Sequence, residues 1–278
     1  MIFLQPHSGL ANRIRVIVSG LKFAEVVNQQ LTLFWTKDNA LFCEFDDLFE
    51  PNDNIIIKKE NCRNVLLKRF QQKKLLHKIC CEIFSIDCCI YDKDMRELVW
   101  STGSNNINLA KLPASANNYF FFTCHEFYFG KEYLKYLKPV AYVRKEVELN
   151  TANFNHKTIG LHIRRGDHTD SLKESPIECF IEVIEIELKK DKEVNFYMAT
   201  DDDESKQILN RLFPEKIFTY ANNRPRTTIQ GAMDAMVDLY SLSATQKIYG
   251  SYLSSFSDIA SRIGNIPLEV VRKEQTVN

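Results

Sequence analysis

The stretch TIGLHIRRGD, Thr158 to Asp167, decides how the whole chain is read. Its first six residues are largely apolar on both alternating faces, as in a parallel strand covered by helices, and two arginines follow at once. Open α/β sheets bind ligands beyond the carboxyl ends of their strands, so the strand delivers two guanidinium groups, a glycine and a carboxylate to the edge where ligands sit.

Reading outward, the same alternation continues. PIECFIEVIEIELKK (Pro176–Lys190) repeats its apolar residues at spacings of three and four, and NFYMAT (Asn195–Thr200) is again a buried strand. The segments ESKQILNRLF (Glu204–Phe213), KIFTY (Lys216–Tyr220), Gln230 to Ser243 and QKIYGS (Gln246–Ser251) complete a helix–strand series that predicts a doubly wound parallel sheet. Ser175 before Pro176 reads as an N-cap with proline at the first helical position. The first half opens similarly, with IFLQ (Ile2–Gln5), a glycine-containing turn at His7 to Leu10, a helix to about Asn28, and LTLFW (Leu31–Trp35). YFFFT (Tyr119–Thr123) is a further buried strand, whereas the pattern between Cys43 and Ala116 is irregular and does not order its strands. The expected architecture is α/β with two Rossmann-like domains, spanning 1–150 and 151–278, with Glu132 to Asn155 as the link.

Composition agrees with two cores: 278 residues with 45% hydrophobic content sit at the size where single cores divide. Lys plus Arg is 36 and Asp plus Glu is 36, so no net field draws in nucleic acid or an anionic membrane. The stretch QQKKLLHK (Gln71–Lys78) has interspersed leucines and reads as an amphipathic helix rather than a nucleic-acid patch. Met1 to Gly20 contains Arg13 and Arg15 within its apolar run and no small-residue cleavage site, and nowhere do 18 apolar residues run uncharged. A cytoplasmic location follows as the expectation, with peripheral membrane association left open and no transmembrane segment. The eight cysteines are then expected as reduced, mostly buried thiols, and the adjacent pairs Cys80, Cys81 and Cys88, Cys89 lack the C-x2-C spacing of a metal knuckle.

Three predicted strand ends in the second half bring complementary chemistry together. Arg164, Arg165, Gly166 and Asp167 offer guanidinium forks; Thr200, Asp201 and Asp202 offer acceptors; Ser251 to Ser257 offer hydroxyls and the free amides of a helix start. Arginine forks match phosphate oxygens in pairs, and a helix amino terminus adds oriented N–H groups, which together describe a pyrophosphate cradle. The run Asp201–Asp203 contains D-x-D, a pattern that elsewhere holds a divalent ion, and is read instead as a helix amino terminus.

At these residues the chain resembles the fucosyltransferase superfamily, whose GT-B-like members include α1,2-, α1,6- and protein O-fucosyltransferases. His162 to Asp167 is similar to the family's H-x-R-R-x-D signature, Ala199 to Asp202 to its second motif, and Gly250 to Ser257 to its third. Gly9-Leu10-Ala11-Asn12-Arg13 resembles the turn that opens these enzymes. The bacterial α1,2-linked members are the most similar in length and opening turn. The resemblance implies an inverting, metal-independent transfer of L-fucose from GDP-fucose to a glycan acceptor, with no cofactor beyond the donor substrate. It implies that Arg164 neutralises the departing GDP, with Arg165 and Asp167 in support. His162 contacts the nucleotide or fixes the arginine, Ser254, Ser255 and Phe256 lie against the phosphates, Asp201 or Asp202 lies near the guanosine, and Asn12 faces the sugar. For the acceptor's proton the sequence offers His7, by its intrinsic pKa, with Asp46 and Asp47 as alternatives. Two other readings stay open: another nucleotide-sugar donor, and a non-catalytic nucleotide- or glycan-binding protein of the same fold.

Overall fold

A computed structural model describes the chain except for residues 59–80, 83–84, 104–105, 167–168, 221–223, 226 and 274–278. The amphipathic stretch at Gln71–Lys78, Cys80 and Asp167 therefore lie outside the described residues. The chain divides into two compact units, one of Met1–Val140 with Arg226–Ala232, the other of Ala141–Pro225 with Met233–Asn278.

In the first unit, strands β1 (Ile2–Pro6), β2 (Leu31–Phe34), β3 (Ile55–Lys58), β4 (Cys88–Tyr91) and β5 (Tyr119–Thr123) form a parallel sheet in the order β3-β2-β1-β5-β4. Strand periodicity sorts the side chains: Leu4 and Leu31 face helix α1 (Leu10–Val26), while Phe3, Phe34 and Phe120 pack with Ile86 on the other side. Gly20 of α1 lies so close to the sheet that a Cβ there would sit 2.6 Å from Leu4 Cδ2. The helix ends at Val26, two residues before Asn28 turns left-handed at φ 51°, the usual way a chain leaves a helix. A short helix α2 (Met95–Leu98) and a 3-10 turn at Trp100–Thr102 follow β4.

The second unit begins with helix α3 (Ala141–Thr151) and continues through β6 (Thr158–Ile163), α4 (Thr169–Glu174), α5 (Ile177–Lys190), β7 (Asn195–Thr200), α6 (Asp203–Leu212), β8 (Ile217–Phe218), α7 (Ile229–Ser243, its residues from Met233 on), β9 (Ile248–Ser251), α8 (Ser255–Gly264) and β10 (Leu268–Val271). All strands are parallel, in the order β10-β9-β6-β7-β8. Taken in chain order this is the doubly wound arrangement of nucleotide-binding sheets, with the first strand central. Along β6, Ile159, Leu161 and Ile163 enter the core with Phe180 and Ile184 of α5. Gly160 faces the opposite way, where a Cβ would meet Thr245 and Leu242 at 2.9 and 3.0 Å.

One local reading is corrected. Ser175 does not cap α5; its hydroxyl donates to Val271 O at 2.5 Å and accepts from Tyr252 N at 2.8 Å, and the N-cap position falls to Pro176 without a side-chain bond. Two tertiary hydrogen bonds from the neighbouring strand and loop outcompete the local cap. Among the described residues, no helix is long and apolar enough to cross a membrane.

Candidate functional site

In a doubly wound sheet the ligand crevice opens where strand order reverses, which in the second unit is between β6 and β9. The loops after these strands are joined by one buried hydroxyl. Ser251 Oγ donates to His162 O at 3.3 Å and accepts from Arg164 N at 2.9 Å, extending the β6–β9 pairing into the arginine loop.

The two arginines take different directions, as successive residues leaving a strand do. Arg164 is partly exposed, and its Nη1 donates to Asp201 Oδ2. Arg165 is buried; its Nη1 donates to Ser175 O at 2.7 Å, just ahead of α5, while its Nη2 is buried with no hydrogen-bond partner among the described residues. Burial lowers the Arg165 pKa, opposed chiefly by Asp202. Asp201 secures both residues, since its Oδ1 also accepts from Arg165 N at 2.8 Å. Gly166, at φ +20°, fits because a Cβ there would lie 2.6 Å from Asp201 Oδ2.

Asp202 has a separate task as the N-cap of α6, accepting from Ser205 N at 2.7 Å, in line with the helix-start reading of the acidic run. A pocket of about 510 Å³ opens here, lined by Arg165, Gly166, Pro176, Asp201, Asp202 and Glu204 among others.

His162 points toward α8. Its Nδ1 shares a hydrogen bond with Ser254 Oγ at 3.2 Å, and its ring stacks on Phe256 with centroids 4.8 Å apart. Ser254 is the N-cap residue of α8 and Ser255 its first residue, so the helix's first-turn amides end beside the arginine loop. Gly250 allows that approach, because a Cβ on it would meet Ser257 Oγ at 2.5 Å.

Desolvation, then the charge of Arg164, depresses the His162 pKa to about 3, so the ring is neutral in the folded protein at neutral pH. The depressed value means that His162 stabilises the fold fully above its unfolded pKa of about 6.5, and that this stability is lost as pH falls toward about 3. Between pH 7 and pH 5 the chain is expected to lose about 2 kcal/mol more than His162→Gln in urea unfolding. Equal losses would mean that the folded protein protonates the ring freely.

The first unit has its own switch point between β1 and β5. His7 leaves β1 there, its Nε2–H donating to Asp92 Oδ2 at 2.8 Å and its ring stacked on Phe122 at 4.5 Å. That bond leaves Nδ1 as the acceptor nitrogen of the neutral ring. Asp92 is fixed in turn by Thr123 Oγ1 at 2.6 Å and Cys124 N at 3.1 Å. Burial works to raise its pKa, but the bonds from His7, Thr123 and Cys124 prevail and hold it at about 2. Donor atoms of His7, Asp92 and Cys124 lie within 4.8 Å of one another, the spacing of a potential metal-ligand set.

Asn12 Nδ2 donates to Ser8 Oγ at 3.0 Å, and Ser8 is left-handed at φ 72°. Arg13, fully buried, donates to Ser8 O, Thr36 O and Asp38, and lies over Trp35. Asp47, the alternative base, closes a turn by accepting from Glu44 N at 2.7 Å.

Asp92 and His125 were not assigned roles by sequence reasoning, and Ser251 was read as offering its hydroxyl to a ligand rather than as tying β9 to the arginine loop. Asp92 follows a strand too short to recognise. His125, whose Nε2 is 3.9 Å from Asp92 Oδ1, had a visible signal in its position two residues after YFFFT.

The two parallel sheets make this an α/β protein of GT-B-like fold. In particular, the chain is similar to the NodZ α-1,6-fucosyltransferase soaked with GDP-fucose, with TM-score 0.64 and 17% identity over 94% of this chain and 92% of that one. It is similar to NodZ from Bradyrhizobium at TM-score 0.61 and 15% identity, covering 93% and 92% of the respective chains. POFUT1 in complex with GDP-fucose aligns at TM-score 0.56 and 13% identity over 97% of both chains. No protein-family model matches the chain, and no curated protein matches it by sequence.

Proposed function

We propose that the chain is an inverting, metal-independent glycosyltransferase that moves L-fucose from GDP-fucose to a glycan acceptor. The observation that carries this reading is the joining, at the β6/β9 switch point, of the arginine loop to Ser251 at the end of β9 and of His162 to Ser254 at the start of α8, in a fold shared with NodZ soaked with GDP-fucose.

In this reading residues 151–278 form the donor domain and 1–150 the acceptor side. Arg164 binds the β-phosphate, with Arg165 and Asp167 supporting the loop. Ser254, Ser255 and Phe256 lie along the phosphates, and the guanosine extends toward Asp201 and Asp202. The acceptor oxygen attacks C1 of the sugar as the bond from C1 to the phosphate oxygen breaks. His7 Nδ1 takes the acceptor proton, and the leaving diphosphate keeps the electron pair. Arginine and helix amides aimed at that growing charge supply stabilisation of the kind given by an oxyanion hole.

Hydrolysis of a panel of nucleotide sugars, with and without chelator, tests donor and metal independence together. GDP-fucose is expected to turn over fastest, undiminished by chelator; preference for another donor or loss with chelator would refute the assignment. Asn12→Ala is expected to lower transfer about tenfold while leaving GDP affinity within about twofold, the size of one lost hydrogen bond near the reacting sugar. Equal losses in both would move Asn12 into the nucleotide site.

A further inference from the structure

We propose that the carboxyl-terminal edge of the first sheet is a saccharide-binding ledge, on which Trp100 is the stacking platform and the His7–Asp92 pair receives a sugar hydroxyl. The naming of that saccharide as the transfer acceptor rests on the function proposed above.

Four side chains run in sequence across this edge. The Trp100 ring stands nearly perpendicular to that of His125 with centroids 5.1 Å apart, His125 Nε2 is 3.9 Å from Asp92 Oδ1, and Asp92 Oδ2 is 2.8 Å from His7 Nε2. All four follow the strands β1, β4 and β5 at their carboxyl ends, where parallel sheets hold ligands.

The chain's two tryptophans are used in opposite ways. Trp35 is buried, with Nε1 donating to Cys43 O at 2.8 Å, whereas Trp100 is 48% exposed. Folding alone does not require a large indole in the water beside an oriented carboxylate.

The occupant that fits is a neutral polyol with one apolar face. A pyranose presents axial C–H groups to an aromatic ring and hydroxyls around its rim, and the ledge offers an indole and then hydrogen-bonding groups in the same order. Asp92 acts as a positioning residue, holding the Nε2–H of His7 so that Nδ1 is the nitrogen able to accept a proton.

Wild-type protein, Trp100→Ala, Trp100→Phe and Asp92→Asn are to be compared on a glycan array, with GDP titrated calorimetrically in parallel. Wild type is expected to bind a defined subset of glycans. Trp100→Ala should weaken the best-bound glycan at least about tenfold and Trp100→Phe by no more than about threefold, with GDP affinity unchanged in both. Titrating the best-bound glycan into wild type should also shift indole emission, because Trp35 is buried and Trp100 is the exposed reporter. This keeps the proposal testable if Trp100→Ala fails to fold. In transfer to that glycan, Asp92→Asn should lower kcat about a hundredfold with acceptor KM nearly unchanged, the opposite split to Trp100→Ala.

Binding of no glycan, or equal binding by wild type and Trp100→Ala, overturns the ledge. Glycan binding without any GDP binding would instead overturn the GDP-fucose reading and leave the ledge standing.

Discussion

Arg164→Lys is expected to lower kcat for transfer from GDP-fucose by about 10² to 10³, the size of losing one preorganised donor to a developing oxyanion. The fold should survive, because the backbone amide of residue 164 still donates to Ser251 and the partly exposed side chain can reach water. A lysine keeps the charge but presents a point, where arginine's planar fork can hold Asp201 with one nitrogen and address a phosphate oxygen with another. Initial rates at saturating donor, with the melting temperature as control, decide the matter. Turnover near that of wild type would remove Arg164 from its assigned role.

Arg13→Met is expected to cost about 3 kcal/mol of stability, more than any surface substitution in the chain should. The methionine fills much of the same volume, yet it abandons the carbonyls of Ser8 and Thr36 and strips Asp38 of its partner. Asp38 retains water and bonds from Ala40 N and Leu41 N, which holds the loss at the lower end for a broken buried pair. Urea unfolding measures it directly; a change below about 1 kcal/mol would show that the guanidinium is packing rather than holding the turn. Because that turn sets the left-handed Ser8 beside His7, transfer should fall even where the variant remains folded.

The sequence was most legible where strands are buried on both faces. TIGLHI, NFYMAT and YFFFT were read with the same bounds as β6, β7 and β5, since apolar runs of strand length bounded by polar residues mark buried strands. The edges were not legible: β3 and β4 flank the first sheet, and CCIY carries only one fully buried residue, too little pattern to mark a strand. With β4 unrecognised, Asp92 at its end could not be connected to His7, 85 positions away in the chain. KIFTY, at the border of the second sheet, contributes only Ile217 and Phe218.

At the candidate site the residue types were readable and their division of labour was not. The proximity of Arg164, Asp201 and Ser251 follows from strand order, which periodicity alone does not determine. Which carboxylate caps a helix and which secures the arginines depends on the direction each side chain takes from the strand end, beyond the reach of motif spacing.

The tandem arginines at the exit of β6 are not interchangeable duplicates. Their contrasting surroundings are inherited from strand parity, so deleting or inserting a single residue between Thr158 and Ile163 would trade their addresses, sending Arg164's successor outward and its counterpart into the interior. Composition and motif would look almost unaltered in such a variant. What specifies the outward-facing cation is thus its count along the strand rather than its chemical identity.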